Sequence, residues 1–277
     1  MGANETNPSR SDSPPTLVSS YEQDGFVFPI AVLSPEEAAE QCQALEAAEE
    51  MVSAPDVRRL LFGFANIVLP SVDELMRQPS ITEPVSEVLG DDLLVLGASF
   101  FVKEPISPAF VSWHQDLTYW GLSDDAEVTA WIALTPATVE TGCMRFLPKS
   151  HRDDVVPHRD TFSDDNMLSR GQEVDFEIRE EEAVDVILAP GEMSLHHGHL
   201  FHASNPNRSN ERRIGLALRF VSPSMCQTGG QRTYAHLVAG EDRYGNFELM
   251  PRPSGVLASD DLARAKASLA MQTTVRL

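Results

Sequence analysis

The chain has 277 residues, enough for one large domain or two small ones. Hydrophobic residues make up 42% of it and charged residues 23%, a globular balance that excludes a disordered or membrane-spanning chain. The formal net charge of −21, spread along the sequence, argues against a nucleic-acid surface and against docking on anionic membranes, since both need basic stripes. It reads as a solubility feature.

Residues 1–16, "MGANETNPSRSDSPPT", are polar and rich in Pro and Ser, and they read as a disordered tail. They lack the apolar core of a signal peptide. The three widely spaced cysteines, Cys42, Cys143 and Cys226, form neither a disulfide framework nor a zinc pattern and read as buried free thiols. Together these features lead to the expectation of a reducing, cytoplasmic setting. Residues 17–277 show no repeat and no boundary, so a single domain is expected.

"GFVFPIAVL" (25–33) is strand-like, and Pro29 suggests an edge strand. Ser34, Pro35 and Glu37 then spell a capping box with Pro in the first helical position. Ala38, Cys42, Leu45 and Met51 are expected to share one face of that helix. A second helix is expected after Ser71, and a third ending at Gly90 as a left-handed stop. From Asp91 the character changes. "DLLVLGASFFVKEP", "EVTAWIALTPA", "GCMRFLPKSH", "AVDVILAPGEMSLHH" and "RRIGLALRFVSP" are short strands between turn signals. Helices first and strands after describe an α+β, mainly β domain with a sandwich or barrel-like roll. The acidic segment at about 152–182 is long for a connection and reads as a lid or substrate loop, or equally as a surface excursion.

"SWHQDLTYW" carries the first chemistry. On a strand His114 and Asp116 point to one side, so an imidazole and a carboxylate converge. A third ligand, a histidine from another strand, would complete the two-His, one-carboxylate set that holds Fe(II) and leaves coordination positions open. Zinc is the alternative metal, with hydrolysis as its chemistry. The third ligand is sought in "SLHHGHLFHASNPNRSNERR". If Ser194–His202 is one strand, His196 and His202 share a face, and His197 and His199 share the other. Parity cannot choose within a pair. Asn205, Pro206 and Asn207 mark a turn, so Arg213 can return beside His202. Taken alone, Arg213 reads as a surface ion pair. Beside a metal, its guanidinium suits a carboxylate.

The order of "HxD", "VTAWIALTPATVETGCMRFLPKSHR" and "HASNPNRSNERR" resembles the phytanoyl-CoA dioxygenase (PhyH) family of Fe(II)/2-oxoglutarate oxygenases, over roughly 21–221. The resemblance implies a double-stranded β-helix, a cupin-like jelly roll with N-terminal helices packed on one sheet. It implies His114, Asp116 and His202 as iron ligands and catalytic centre, and Arg213 as the holder of the distal carboxylate of 2-oxoglutarate. Trp131 and Ser204 match positions near that co-substrate. His151 matches a structural turn, with Lys149 where glycine is usual. His196 becomes a packed, hydrogen-bonded imidazole, and His197 and His199 face away unless His199 twists toward the substrate mouth.

The implied reaction consumes O2 and 2-oxoglutarate, hydroxylates an unactivated C–H and releases succinate and CO2. Asp116 fills the position that related halogenases leave vacant, which favours hydroxylation; desaturation, epoxidation and ring closure remain open. Trp113, Tyr119 and Trp120 flank the metal motif and are candidate substrate contacts, or core. Arg219 shares strand parity with Arg213 and is a candidate for an anionic substrate, or a surface pair. No basic patch suits the phosphates of coenzyme A, so a small metabolite is expected. Monomer and homodimer are both open. A non-catalytic jelly-roll binding module and a zinc-dependent hydrolase are the rival readings.

Overall fold

The computed structural model describes residues 16–275 except Ser169 and Gln231, and the side chains of Tyr119 and 272–275 are not described. The expected tail thus lies outside the described residues, apart from Thr16, whose side chain caps the first helix. The helices are α1 (Leu17–Asp24), α2 (Pro35–Glu50), α3 (Pro55–Gly63), α4 (Ala65–Val68), α5 (Pro70–Leu75), α6 (Pro79–Leu89) and α7 (Ser259–Val275). The strands are β1 (Phe26–Ala31), β2 (Leu93–Lys103), β3 (Val111–His114), β4 (Glu127–Ala133), β5 (Met144–Phe146), β6 (His158–Asp160) and β7 (Gln172–Val174). They continue with β8 (Val184–Val186), β9 (Glu192–His197), β10 (His202–Ser204), β11 (Arg213–Val221), β12 (Tyr234–Ala239) and β13 (Glu248–Leu249).

Seven strands form one sheet in the order β1-β9-β4-β11-β2-β12-β13, and four form a second, β3-β10-β5-β8. Trp131, Ala133 and Ala217 of the large sheet pack with Met144, Phe146 and Val186 of the small one, so the two sheets close on each other. The opposite face of the large sheet, through Val95, Ala130, Leu195 and Leu216, packs on Leu45, Leu60, Val68 and Val85 of the helices. This is the jelly roll with helices on one sheet. β1 pairs only with β9 and is an edge strand, where Pro29 costs no ladder bond.

The helix that starts at Ser34 has both halves of its capping box: Glu37 N–H donates to Ser34 Oγ, and Ser34 N–H to Glu37 Oε2. Ala38 and Leu45 are buried, but Met51 is 64% exposed because the helix ends at Glu50 and Met51 leaves its face. The next expected start is displaced. Pro70, not Ser71, opens α5, because its fixed φ suits the first helical position, and Leu69 is the cap without a side-chain bond. α6 does stop at Gly90, at positive φ as glycine allows, yet outside the left-handed helical region (φ 90°, ψ 176°). Of the cysteines only Cys143 is buried; Cys42 and Cys226 are half-buried, and all are free thiols.

Candidate active site

β3 ends at His114, Gln115 stays extended (φ −119°, ψ 130°), and Asp116 opens a short 3-10 turn. The side chains at 114 and 116 therefore still emerge on one side, although Asp116 is off the strand. β10 lies antiparallel to β3, with His202 directly opposite His114. Asp116 Oδ1 sits 3.4 Å from His114 Nε2 and 3.9 Å from His202 Nε2, and the three donor atoms lie within 4.8 Å of one another. The far edges of both rings are tied to the backbone. His114 Nδ1 meets Ser112 O at 2.9 Å and His202 O at 3.1 Å; His202 Nδ1 meets Leu200 O at 2.9 Å. Each Nδ1 then carries the proton, and each Nε2 lone pair turns inward beside the carboxylate. The donor set fits a divalent metal with preference for iron-type sites.

The histidine-rich stretch is not one strand. β9 stops at His197 in the large sheet, the chain turns at 198–201, and β10 begins at His202 in the small sheet. Parity across the turn is therefore no argument. His196 and His202 nevertheless meet, with ring centres 4.8 Å apart, because the two sheets face each other. His196 is buried against Phe146, and neither ring nitrogen has a hydrogen-bond partner among the described residues, so the expected hydrogen-bonded imidazole is a packed but unbonded one. Burial pushes its pKa down to about 4. His197 and His199 lie side by side with tilted rings, and His197 packs against Tyr21 and His151 away from the metal set.

Behind Asp116 lies a second, unexpected carboxyl. Thr129 Oγ1 is 3.2 Å from Asp116 Oδ2 and 2.9 Å from the buried Glu127 Oε1. One hydroxyl proton cannot serve two carboxylates. A neutral Glu127 donating to Thr129, which donates to Asp116, gives each of the three facing oxygens a partner. Burial, reinforced by Asp116, raises the Glu127 carboxyl well above its usual range. Burial also pushes Asp116 up, but His114, His202 and Arg219 outweigh it and hold that carboxyl well below the usual range.

Next to the metal set is a cavity of about 70 Å³, bordered by Trp131, Ser204, Arg213 and Arg219. Arg213 is 1% exposed; its Nε and one Nη have no partner, and its guanidinium carbon lies 5.4 Å from the centre of the Trp131 ring. A buried guanidinium with orphaned donors awaits an anion. Burial lowers its pKa to about 10. Trp131 reaches it by crossing β11 at Gly215, where any Cβ would run into the indole. Lys103, opposite Arg213 in the ladder, is a buried residue that sequence reasoning missed. Its Nζ donates to Ser204 Oγ at 2.7 Å and to the carbonyls of Gly142 and Asn205. Burial, with Arg213 adding, pushes its pKa down to about 6. The only signal was its place at the end of a strand.

A larger cavity of about 410 Å³ opens on His114 and Asp116. Trp120 and Arg219 line it, with the guanidinium 5.5 Å from the ring centre. Trp113 lines neither cavity; strand alternation turns it from His114 to the outer face, where Arg145 stacks on it. The side chain of Tyr119 lies outside the described residues. The acidic 152–182 segment folds over the start of β3: Phe110 N–H donates to Asp165 O and Met167 N–H to Phe110 O, Asn166 donates to Ser112 Oγ at 2.8 Å, and Met167, Leu168 and Gln172 wall the cavity.

The family model for phytanoyl-CoA dioxygenase (PhyH) matches residues 21–215. A probable alpha-ketoglutarate-dependent hypophosphite dioxygenase of Stutzerimonas stutzeri is 27% identical over 66% of this chain and 60% of its own length. The phytanoyl-CoA dioxygenase of Arabidopsis thaliana is 26% identical over 48% of this chain, which spans about half (46%) of that relative. Among solved structures, the apo form of the non-heme monooxygenase ThoJ superposes with a TM-score of 0.83 at 30% identity, covering 94% of this chain and 97% of that one. Among the described residues no helix is long and apolar enough to cross a membrane.

Proposed function

The chain belongs to the phytanoyl-CoA dioxygenase family, and from that premise we propose that it is an Fe(II)- and 2-oxoglutarate-dependent dioxygenase that hydroxylates a C–H of a small metabolite. The observation that carries this reading is the set of three inward-facing donors, His114, Asp116 and His202, beside a buried arginine with orphaned N–H groups. When bound, Fe(II) with 2-oxoglutarate and O2 supplies the C–H oxidation, giving succinate and CO2.

The chain's own part is to hold and exclude. His114 and His202 present Nε2 because their Nδ1 protons are spent on backbone carbonyls. Asp116 would supply a negative charge that offsets the metal, at the place a halide would otherwise take. Its other oxygen is held by Thr129, with Glu127 behind. Arg213 and Ser204 would receive the distal carboxylate, over the face of Trp131. Met167 and Leu168, on the acidic segment, serve as its lid and keep water from the substrate side. The acidic charge balance supports a small-molecule rather than nucleic-acid or membrane partner.

The deciding experiment is anaerobic. Metal-free protein is titrated with Fe(II) and then with 2-oxoglutarate. A weak visible absorption band from the chelate, followed by succinate on admission of O2, is expected. Folded protein that shows neither would rule the reading out in favour of a binding module or a zinc site.

A further inference from the structure

Arg219 stands where the two cavities meet. On β11 it lies between Gly97 of β2 and Thr129 of β4, and Thr129 in turn donates to Asp116. The guanidinium is therefore beside the metal set. Its Nη1 donates to Ser99 Oγ at 3.0 Å, and Trp120 lies against it. Arg58, Arg77, Arg145 and Arg252 each hold a carboxylate, whereas among the described residues Arg219 has no ion pair, in a chain with 42 acidic residues. Across the ladder, Gly97 leaves the adjoining space open: a Cβ built there touches nothing within 4 Å. Beyond it the walls are mainly apolar, from Phe62, Phe64, Leu96 and Phe100, with Asn66, Gln227 and Thr233 among them, and Arg59 is the one other arginine or lysine on the lining among the described residues.

A half-buried guanidinium with a planar fork, open space before it and an apolar chamber beyond suits one kind of ligand. Resting on the dioxygenase reading, we propose that Arg219 anchors the substrate through a carboxylate, and that the substrate is a small monocarboxylic acid with an apolar body. The carboxylate meets Arg219 over Gly97, which swings a neighbouring C–H toward His114 and Asp116. A coenzyme A thioester is a poor match, because its several phosphate charges need more cations than this cavity offers.

The test uses the full chain, anaerobic, loaded with Fe(II) and saturating 2-oxoglutarate. The probes are short straight-chain and aryl monocarboxylates, such as hexanoate and phenylpropionate, each beside its primary amide, and binding is read by calorimetry. At least one carboxylate should bind roughly 10–100-fold more tightly than its amide, the worth of a charge-assisted hydrogen bond. Arg219→Gln should erase that preference, and Arg219→Lys should keep part of it. Gly97→Leu should block the carboxylate and the amide alike. The chelate band should persist in the wild-type protein with every probe bound, and in Gly97→Leu.

The inference is overturned if no carboxylate outbinds its amide, if the preference survives Arg219→Gln, or if probe binding bleaches the band, which would put the probe at Arg213. Loss of the band in the wild-type protein would instead sink the dioxygenase reading itself, so the two failures are distinguishable.

Discussion

His114 and His202 differ from His196 and His197 in how their Nδ1 atoms are spent. Both are bound to backbone carbonyls, which leaves Nε2 for a metal. The His199 ring instead lies tilted against that of His197. His202→Ala should therefore abolish Fe(II) binding, while His199→Ala should largely keep it, measured by metal content after anaerobic loading and desalting. Equal loss in two folded variants would break the assignment. Arg213 has orphaned donors and no carboxylate, so Arg213→Ala should weaken 2-oxoglutarate binding on the order of 100-fold, with metal binding intact. A titration of the chelate band reads this directly, and an unchanged midpoint would remove Arg213 from the co-substrate site. His114, Asp116, His202 and Arg213 are legible in the sequence through the resemblance in block order, since spacing alone leaves His196 open beside His202 and reads Arg213 as a surface pair. Lys103 and Glu127 are not, because a lone lysine and a lone glutamate carry no pattern until the ladder places them beside Arg213 and Thr129.

Elements with local signals are the ones readable in advance. The Ser34 capping box needs only four consecutive residues, and both of its bonds are present. Ser34→Ala should cost about 1 kcal/mol of unfolding free energy, seen as a lower urea midpoint with an unchanged slope. A midpoint within error of wild type would mean that the box contributes nothing here. Lys149 adopts a left-handed conformation (φ 71°), which explains why a glycine suits that turn. The short α3 and α4 were missed for the opposite reason. Neither has a side-chain cap, and Leu60, Leu61, Ile67 and Val68 are held by packing rather than by propensity.

At the scale of the whole molecule, helix layer and sheet meet around Asp73. This buried carboxylate receives Arg77 and Arg252, and His236 of β12 lies 3.7 Å from it. Burial pushes the His236 pKa from 6.5 down to about 4, although Asp73 pulls it up and Arg77 adds to the fall. Between those values the unfolded chain binds the proton and the folded one does not. The contribution of His236 to stability is thus lost as pH falls from about 6.5 to about 4. His236→Gln should flatten the dependence of the urea midpoint on pH in that window. A variant as pH-sensitive as the wild type would show that His236 is not a source of the slope.

The sequence by itself determined the class of fold, the strand runs and the capped helix at Ser34. Each of these is written in neighbouring residues, as alternation, turn chemistry or a short motif, whereas the candidate metal set rests on a resemblance in the order of distant blocks. Tertiary structure alone decided which histidines meet. The chain leaves one sheet after His197 and enters the other at His202, so facing sheets, and not strand parity, bring His196 against His202. It also decided that Trp113 turns outward, that Gly215 clears a path for Trp131, and that Arg219 faces an open space over Gly97. These are contacts between residues far apart in the chain. Ladder register and sheet packing set them, and no local pattern encodes either.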